Sequence, residues 1–249
     1  MFVAASTRCF SDKSFSDACG AITDLEFDKI EIWLCEESDH LRPSEVAADP
    51  ERTVARFRES SRLSVAALYL EHDVSDEVFA GLTQFAQLLK IAQITIPAAP
   101  LGAPFNTEID RLRELSEAAT RDGLRLSLKT QAERLTEDPH TAVELCQAVP
   151  GLGITLDPSY YICNRSGQAA SYDVVYSHVY HVHLRDTSPE RVQVPVGLGQ
   201  IDYSRMISQL RQVGYNRALS VDLIPSESGD SEERMLEMRK LRLLLESLL

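Results

Sequence analysis

Short strand-like runs and longer helix-like runs alternate along the whole chain, and this alternation limits the fold more than any other feature. Runs of five to eight residues with strand character are "FVAAS" from Phe2, "KIEIW" from Lys29, "LSVAALYL" from Leu63 and "AQITI" from Ala92. Four more follow: "LRLSL" from Leu124, "LGITL" from Leu152, "YHVHL" from Tyr180 and "ALSVDL" from Ala218. Amphipathic helical segments lie between them. Ser75–Lys90 opens on a serine N-cap, and Thr107–Gly123 opens on Thr107 and closes on a glycine suited to a left-handed stop. The last segment, "DSEERMLEMRKLRLLLESLL", starts acidic and ends apolar, as suits a helix closing a ring.

Eight such units in 249 residues, with no Pro/Gly/Ser-rich linker between them, predict one α/β domain over residues 1–249. A closed (β/α)8 TIM barrel is the economical solution. An open doubly wound sheet would want a glycine-rich turn after its first strand, and "STRCFSDKSF" has no glycine there.

In a barrel, alternate residues of each strand face the helices and the others fill the interior. That parity turns Ser127 and Lys129 inward on the fifth strand and Thr155 and Asp157 on the sixth. His181 and His183 follow on the seventh, with Tyr180, Val182 and Leu184 facing outward. Ser220 and Asp222 follow on the eighth, and Glu31 and Trp33 share the inner face of the second. Lys129, Asp157, His183 and Asp222 then each end a strand at the barrel mouth. Ionisable groups stacked this way destabilise a fold unless they are paired or used, so this rim is the expected site.

Charge narrows the partners. Acids outnumber Lys and Arg 38 to 25, giving −13, which argues against nucleic acid. No apolar run approaches the ~20 residues of a spanning helix, and the opening "MFVAASTRCF" lacks the pattern of a secretory leader. Five scattered cysteines (Cys9, Cys19, Cys35, Cys146, Cys163), without a C-x-x-C, read as reduced thiols of a cytoplasmic protein.

The segments "GLRLSLKTQ", "GLGITLDPSYY" and "HVHLRDTSPERVQVPVGLGQIDYSRMISQLRQVGYNRALSVDL" resemble the xylose isomerase-like TIM barrels, a family that includes sugar isomerases and epimerases. The resemblance implies one divalent ion at the mouth (Mn2+, Mg2+ or Zn2+), held by Glu, Asp, His and Glu on strands five to eight. Carried over by position, Asp157, His183 and Asp222 are the metal ligands, with Asp222 one methylene shorter than the usual Glu. Lys129 stands where the strand-five Glu is expected, and Tyr160 replaces the His of a D-x-x-H motif. An ammonium there puts the metal in doubt: each unit charge ~4 Å away adds ~4 kcal/mol of repulsion at an effective dielectric near 20. The alternative to a bound ion is that Lys129 itself sits in its place, paired with Asp157 and Asp222. The family's endonuclease IV branch is excluded by charge and by the scarcity of histidines, with His40 and His140 in loops and His178 just ahead of the seventh strand.

The resemblance implies isomerisation or epimerisation of a small polyhydroxy or sugar-phosphate ligand by proton transfer α to a carbonyl. In that reading Asp222 is the base, Lys129 or a metal the oxyanion partner, and His183 the orienting or donating group. Glu31, Trp33, His72, Tyr160, His181 and Arg185 are the substrate-contact candidates, with Glu71 and Tyr161 beside them. For the aromatic residues among them, core packing explains the sequence equally well. Arg165 and Arg185 are alternative anion partners, and the glycines of "VGLGQIDYS" offer backbone N–H groups to a phosphate or carboxylate. Two other readings stay open: a catalytically inactive sugar-binding relative, and Schiff-base lyase chemistry on Lys129. Barrels of this type often pair, so a homodimer is an expected assembly.

Overall fold

The computed structural model describes residues 1–163 and 171–249, so Arg165 lies outside the described residues. Its strands are β1 (Phe2–Ser6), β2 (Lys29–Leu34), β3 (Ser64–Leu70), β4 (Gln93–Ile96), β5 (Arg125–Lys129), β6 (Leu152–Leu156), β7 (Val179–Leu184) and β8 (Ala218–Val221). All pair in parallel and in sequence order, and β1 closes on β8. The expected barrel is therefore the fold.

Its helices are α1 (Phe15–Asp24), α2 (Pro43–Ala48), α3 (Pro50–Ser60), α4 (Asp76–Leu89), α5 (Phe105–Arg121), α6 (Pro139–Ala148), α7 (Ser159–Ile162), α8 (Tyr203–Gln212) and α9 (Ser231–Leu248). Local chemistry sets their ends. Ser75 caps α4 by accepting from Val78 N, and Asp202 caps α8 by accepting from Arg205 N. Gly123 follows α5 at φ +77°, the left-handed stop expected of it. The start of α5 differs from expectation: it begins at Phe105 behind Pro104, so Thr107 is inside the helix and caps nothing.

Two layers bury the sheet. Ile30, Ile32, Leu126, Leu128, Ile154, Leu156, Val182, Leu219 and Val221 belong to the apolar core between strands and helices. The interior is polar instead. Gln93 Nε2 donates to Ser127 Oγ at 2.6 Å, Ser127 Oγ shares a proton with Thr155 Oγ1 at 2.6 Å, and Thr155 meets Thr95 Oγ1 at 2.8 Å. Hydroxyls satisfying one another let a barrel hold polar residues without a charge at this level.

The parity expectation fails at Tyr180. A register shift between Ile154 and Thr155 lies opposite it, and its ring packs on Gly153, where an added Cβ would stand 2.2 Å from the ring. Tyr180 therefore lines a small cavity at the barrel's lower end with Gln93, Arg125 and His181, rather than facing the helices. Among the described residues no helix is long and apolar enough to cross a membrane.

Candidate functional site

The C-terminal ends of the strands carry the side chains that the parity rule placed there. Lys129 ends β5, Asp157 follows β6, His183 lies in β7 and Asp222 follows β8. The structure brings all four together, and Lys129, Asp157, His183, Arg185 and Asp222 are each at most 1% exposed. Such burial allows charges only in mutual contact.

Asp222 is the hub. Its Oδ2 lies 3.0 Å from Lys129 Nζ, 2.8 Å from Arg185 Nη2 and 3.4 Å from Arg8 Nη1. Burial alone pushes its carboxyl up, but Lys129, Arg8, His183 and Arg185 outweigh that and hold it well below the usual range. Asp157 Oδ2 lies 2.9 Å from the same Arg185 Nη2 and 3.9 Å from Lys129. Its other oxygen accepts from the Ser159 hydroxyl and, at 3.2 Å, from Ser159 N at the start of α7. Lys129 also donates to Tyr69 OH at 3.2 Å and stands 4.3 Å above the Tyr69 ring centroid.

Beneath this cluster sits a second one. Glu31 Oε1 is 2.8 Å from His183 Nε2 and 3.1 Å from His181 Nε2, and Ser220 Oγ meets His181 Nε2 at 3.2 Å. Burial opposes ionisation of Glu31, yet the two imidazoles more than offset it and hold the carboxyl far below its ordinary value. Burial lowers the His183 pKa despite Glu31, so its imidazole is neutral near pH 7. A carboxylate only accepts, so neutral His183 presents Nε2–H to Glu31 and carries its lone pair on Nδ1. That nitrogen has no hydrogen-bond partner among the described residues and lies 3.5 Å from Asp222 Oδ2.

The other expected substrate contacts divide. Trp33 donates Nε1–H to Glu71 at 2.7 Å, and Glu71 lies 3.4 Å from Arg8. Tyr160 places its ring 5.5 Å from the Arg185 guanidinium carbon, and it also lines a cavity of about 790 Å3 with Leu101, Glu133, Glu190 and Arg191. His72 stands apart: it is exposed and lies 3.5 Å from Glu37. Tyr161 is buried and donates to the Thr136 carbonyl, a core role. The glycine turn is occupied by the protein itself, since Gly197 N and Gly199 N donate to Asp186 Oδ2 at 2.8 and 3.0 Å.

Sequence reasoning placed Arg185 as an anion partner near the rim, whereas the structure puts it in the heart of the cluster. The signal was present: residue 185 shares the parity of His181 and His183. Tyr69 was likewise readable, because it alternates with Leu68 and Leu70 in "LSVAALYL". Arg8 and Ser159 had no such signal, since short helical turns aim them.

Asp157, His183 and Asp222 offer donor atoms within 4.8 Å of one another, the geometry of a three-ligand metal seat. As the side chains stand they do not fit a divalent ion. Asp157 Oδ2 and Asp222 Oδ2 already share Arg185 Nη2 with Lys129 beside them, so an ion bound through Asp222 Oδ1, which has no hydrogen-bond partner among the described residues, would face two cations across that carboxylate.

A (β/α)8 barrel with this rim defines a class: parallel-barrel proteins whose chemistry sits at the strand C-termini. The sequence matches the model of the xylose isomerase-like TIM barrel over residues 21–242, and the chain belongs to that family. A comparison with curated proteins gives no match. Among solved structures it is similar to a xylose isomerase-like TIM barrel protein from Mycobacterium smegmatis in complex with magnesium. That match has 17% identity and a TM-score of 0.75, covering 99% of this chain and 97% of that one. The probable 3-DHS dehydratase AsbF from Bacillus anthracis matches at 17% identity and TM-score 0.72, covering 98% and 99%. A D-tagatose 3-epimerase-like protein matches at 16% and 0.73, covering 100% and 98%. At these identities the likeness establishes the fold.

Proposed function

We propose that the protein is a carbohydrate isomerase or epimerase of this family in which side-chain cations replace the resident divalent ion. The observation that carries the reading is Arg185 Nη2 bridging Asp157 and Asp222 at 2.9 and 2.8 Å, with Lys129 Nζ 3.0 Å from Asp222. Family membership and the epimerase-like neighbour support the reaction class.

Proton transfer α to a carbonyl needs a base and a cationic partner for the enediolate oxygen. Asp222 suits the base role expected of it poorly, because a carboxylate held so far down is a weak base. The neutral His183 suits it better: Glu31 fixes its Nε2–H, and its Nδ1 has no hydrogen-bond partner among the described residues. In this reading Asp222 and Asp157 hold Lys129 and Arg185 in place, and those cations stabilise the oxyanion. A substrate approaches from the 790 Å3 cavity past Tyr160, whose ring lies against Arg185. Lys129 is engaged by Asp222 and Tyr69, which gives the Schiff-base alternative no support from geometry.

One observation favours a second reading, the inactive sugar-binding relative. The cluster is at most 1% exposed, and Arg185 and Lys129 already pair with its carboxylates. Deuterium exchange separates the two. Chelator-treated protein is incubated in D2O with a panel of aldoses and ketoses, free and phosphorylated. Label at the carbon next to the carbonyl, surviving chelation and lost in His183→Gln, is the expected result. Binding without exchange establishes the inactive relative, and exchange that appears only on adding Mn2+ or Mg2+ refutes the metal-free site.

A further inference from the structure

Away from the barrel axis, three side chains of metal-ligand type meet at the outer rim. Cys35 follows β2, Glu37 lies two residues further on, and His72 follows the end of β3. Cys35 Sγ donates to Glu37 Oε2 at 3.2 Å, His72 Nε2 lies 3.5 Å from the same oxygen, and the three donor atoms fall within 4.8 Å of one another. From this geometry we infer a site for one zinc-class divalent ion, held by Cys35, Glu37 and His72, with its fourth position open to water.

The two separations that meet at Glu37 suit the edges of a tetrahedral shell. With metal–sulfur near ~2.3 Å and metal–oxygen or –nitrogen near ~2.0–2.1 Å, neighbouring donors in a tetrahedron stand ~3.3–3.6 Å apart. The two measured separations, 3.2 and 3.5 Å, fall close to that edge, so an ion enters with small side-chain motion. The donor set also selects the metal. A thiolate with an imidazole favours zinc over magnesium or calcium, which prefer all-oxygen shells. Access is asymmetric in a useful way: the Cys35 residue is 7% exposed, while the side chains of Glu37 and His72 are 71% and 55% exposed. The sulfur is a fixed anchor and the other two ligands close over the ion from solvent.

Without an ion the thiol keeps its proton. Burial, the hydrogen bond to Glu37 and the nearby charge of Glu71 push the Cys35 pKa up to about 11. Binding replaces the S–H bond with a sulfur–metal bond and releases that proton to solvent, with no change of oxidation state. The site shares no ligand with the Asp157, His183 and Asp222 group, so it stands or falls independently of the proposed reaction.

Cobalt(II) is a suitable probe, because a thiolate ligand gives an intense near-ultraviolet charge-transfer band. Reduced, chelator-treated full-length protein is titrated with cobalt(II), then with zinc. The expected result is a band saturating at one equivalent, displaced by zinc and absent in Cys35→Ser. His72→Ala and Glu37→Gln, both at exposed positions, weaken binding by about 100-fold while leaving the circular dichroism spectrum unchanged. A band that persists in Cys35→Ser assigns the ion to another cysteine and overturns the inference. Binding without a thiolate band, or no cobalt binding at micromolar protein, overturns it equally.

Discussion

Arg185 holds Asp222 twice: Nη2 donates to Oδ2 at 2.8 Å, and Nε donates to the backbone carbonyl at 2.8 Å. Nη1 reaches Ser159 Oγ at 3.0 Å as well, so the planar guanidinium ties the end of β8 to the start of α7. A lysine has no equivalent fork.

Unequal costs for the two cations follow. Removing Arg185, as in Arg185→Met, leaves Lys129 at 3.9 Å as the only cation paired with Asp157 among the described residues and should destabilise the fold by ~3–5 kcal/mol. Lys129→Met leaves both carboxylates on Arg185, so the loss should be nearer ~1.5–3 kcal/mol, that of a hydrogen bond to a charged group. Urea unfolding midpoints measure both. Equal losses, or a larger one for Lys129→Met, would show that the lysine carries the cluster.

Acid should unfold the protein in two stages. Burial lowers the pKa of His40 and of His183, so the folded state keeps both neutral while the unfolded chain takes up protons near ~6.5. Below that pH the unfolded state binds more protons, and stability falls with acidification by up to ~1.4 kcal/mol per pH unit for each histidine. Asp222 and Glu31 are depressed instead, so their contribution is intact above ~4 and is lost as pH falls below it. His40→Asn keeps a donor within reach of the Lys13 carbonyl that Nδ1 now contacts, and it should shallow the upper stage only. Melting temperatures from pH 8 to pH 3 would test this, and an unchanged slope between pH 6.5 and 5 in the variant would count against it.

Much of the site was legible because a strand's side-chain period is fixed. Knowing only that "YHVHL" is a strand puts His181 and His183 on one face, and Glu31, Ser220 and Asp222 follow by the same rule. Extending the count two residues past His183, one beyond the strand, reaches Arg185. What parity could not show is how far a side chain travels: Arg8 comes from a helical turn after β1, and its guanidinium crosses to Asp222 near the other end of the sequence. Register was the other hidden variable. The slip beside Ile154 turns Tyr180 off its expected face, and no composition or spacing in "LGITL" announces it.

Asp186 should prove a structural keystone of the loop after β7. It is 3% exposed and accepts from Gly197 N at 2.8 Å, Gly199 N at 3.0 Å and Thr187 N at 3.1 Å. Asp186→Ala strands three backbone donors, and even if water recovers some, a loss of ~2–4 kcal/mol is expected. Asp186→Asn keeps one acceptor oxygen and should lose about half as much. Denaturant titration gives the ranking, and limited proteolysis should show new cleavage within residues 187–200. Wild-type resistance in Asp186→Ala would mean the loop is held elsewhere.

Gly153 and Tyr180 offer a test of the register slip itself. A Cβ at Gly153 would stand 2.2 Å from Tyr180 Cγ and 2.3 Å from Cδ2, closer than any side chain tolerates, and the ring is not a flexible tip that can swing aside freely. Gly153→Ala alone should therefore destabilise by ~1–3 kcal/mol through overpacking. Tyr180→Ala removes the obstacle, and in that background Gly153→Ala should be nearly neutral, so the double-mutant cycle should return a coupling of ~1–3 kcal/mol. Additive losses would mean that Tyr180 faces the helices, as simple alternation along β7 requires, and that the slip at Ile154 is absent.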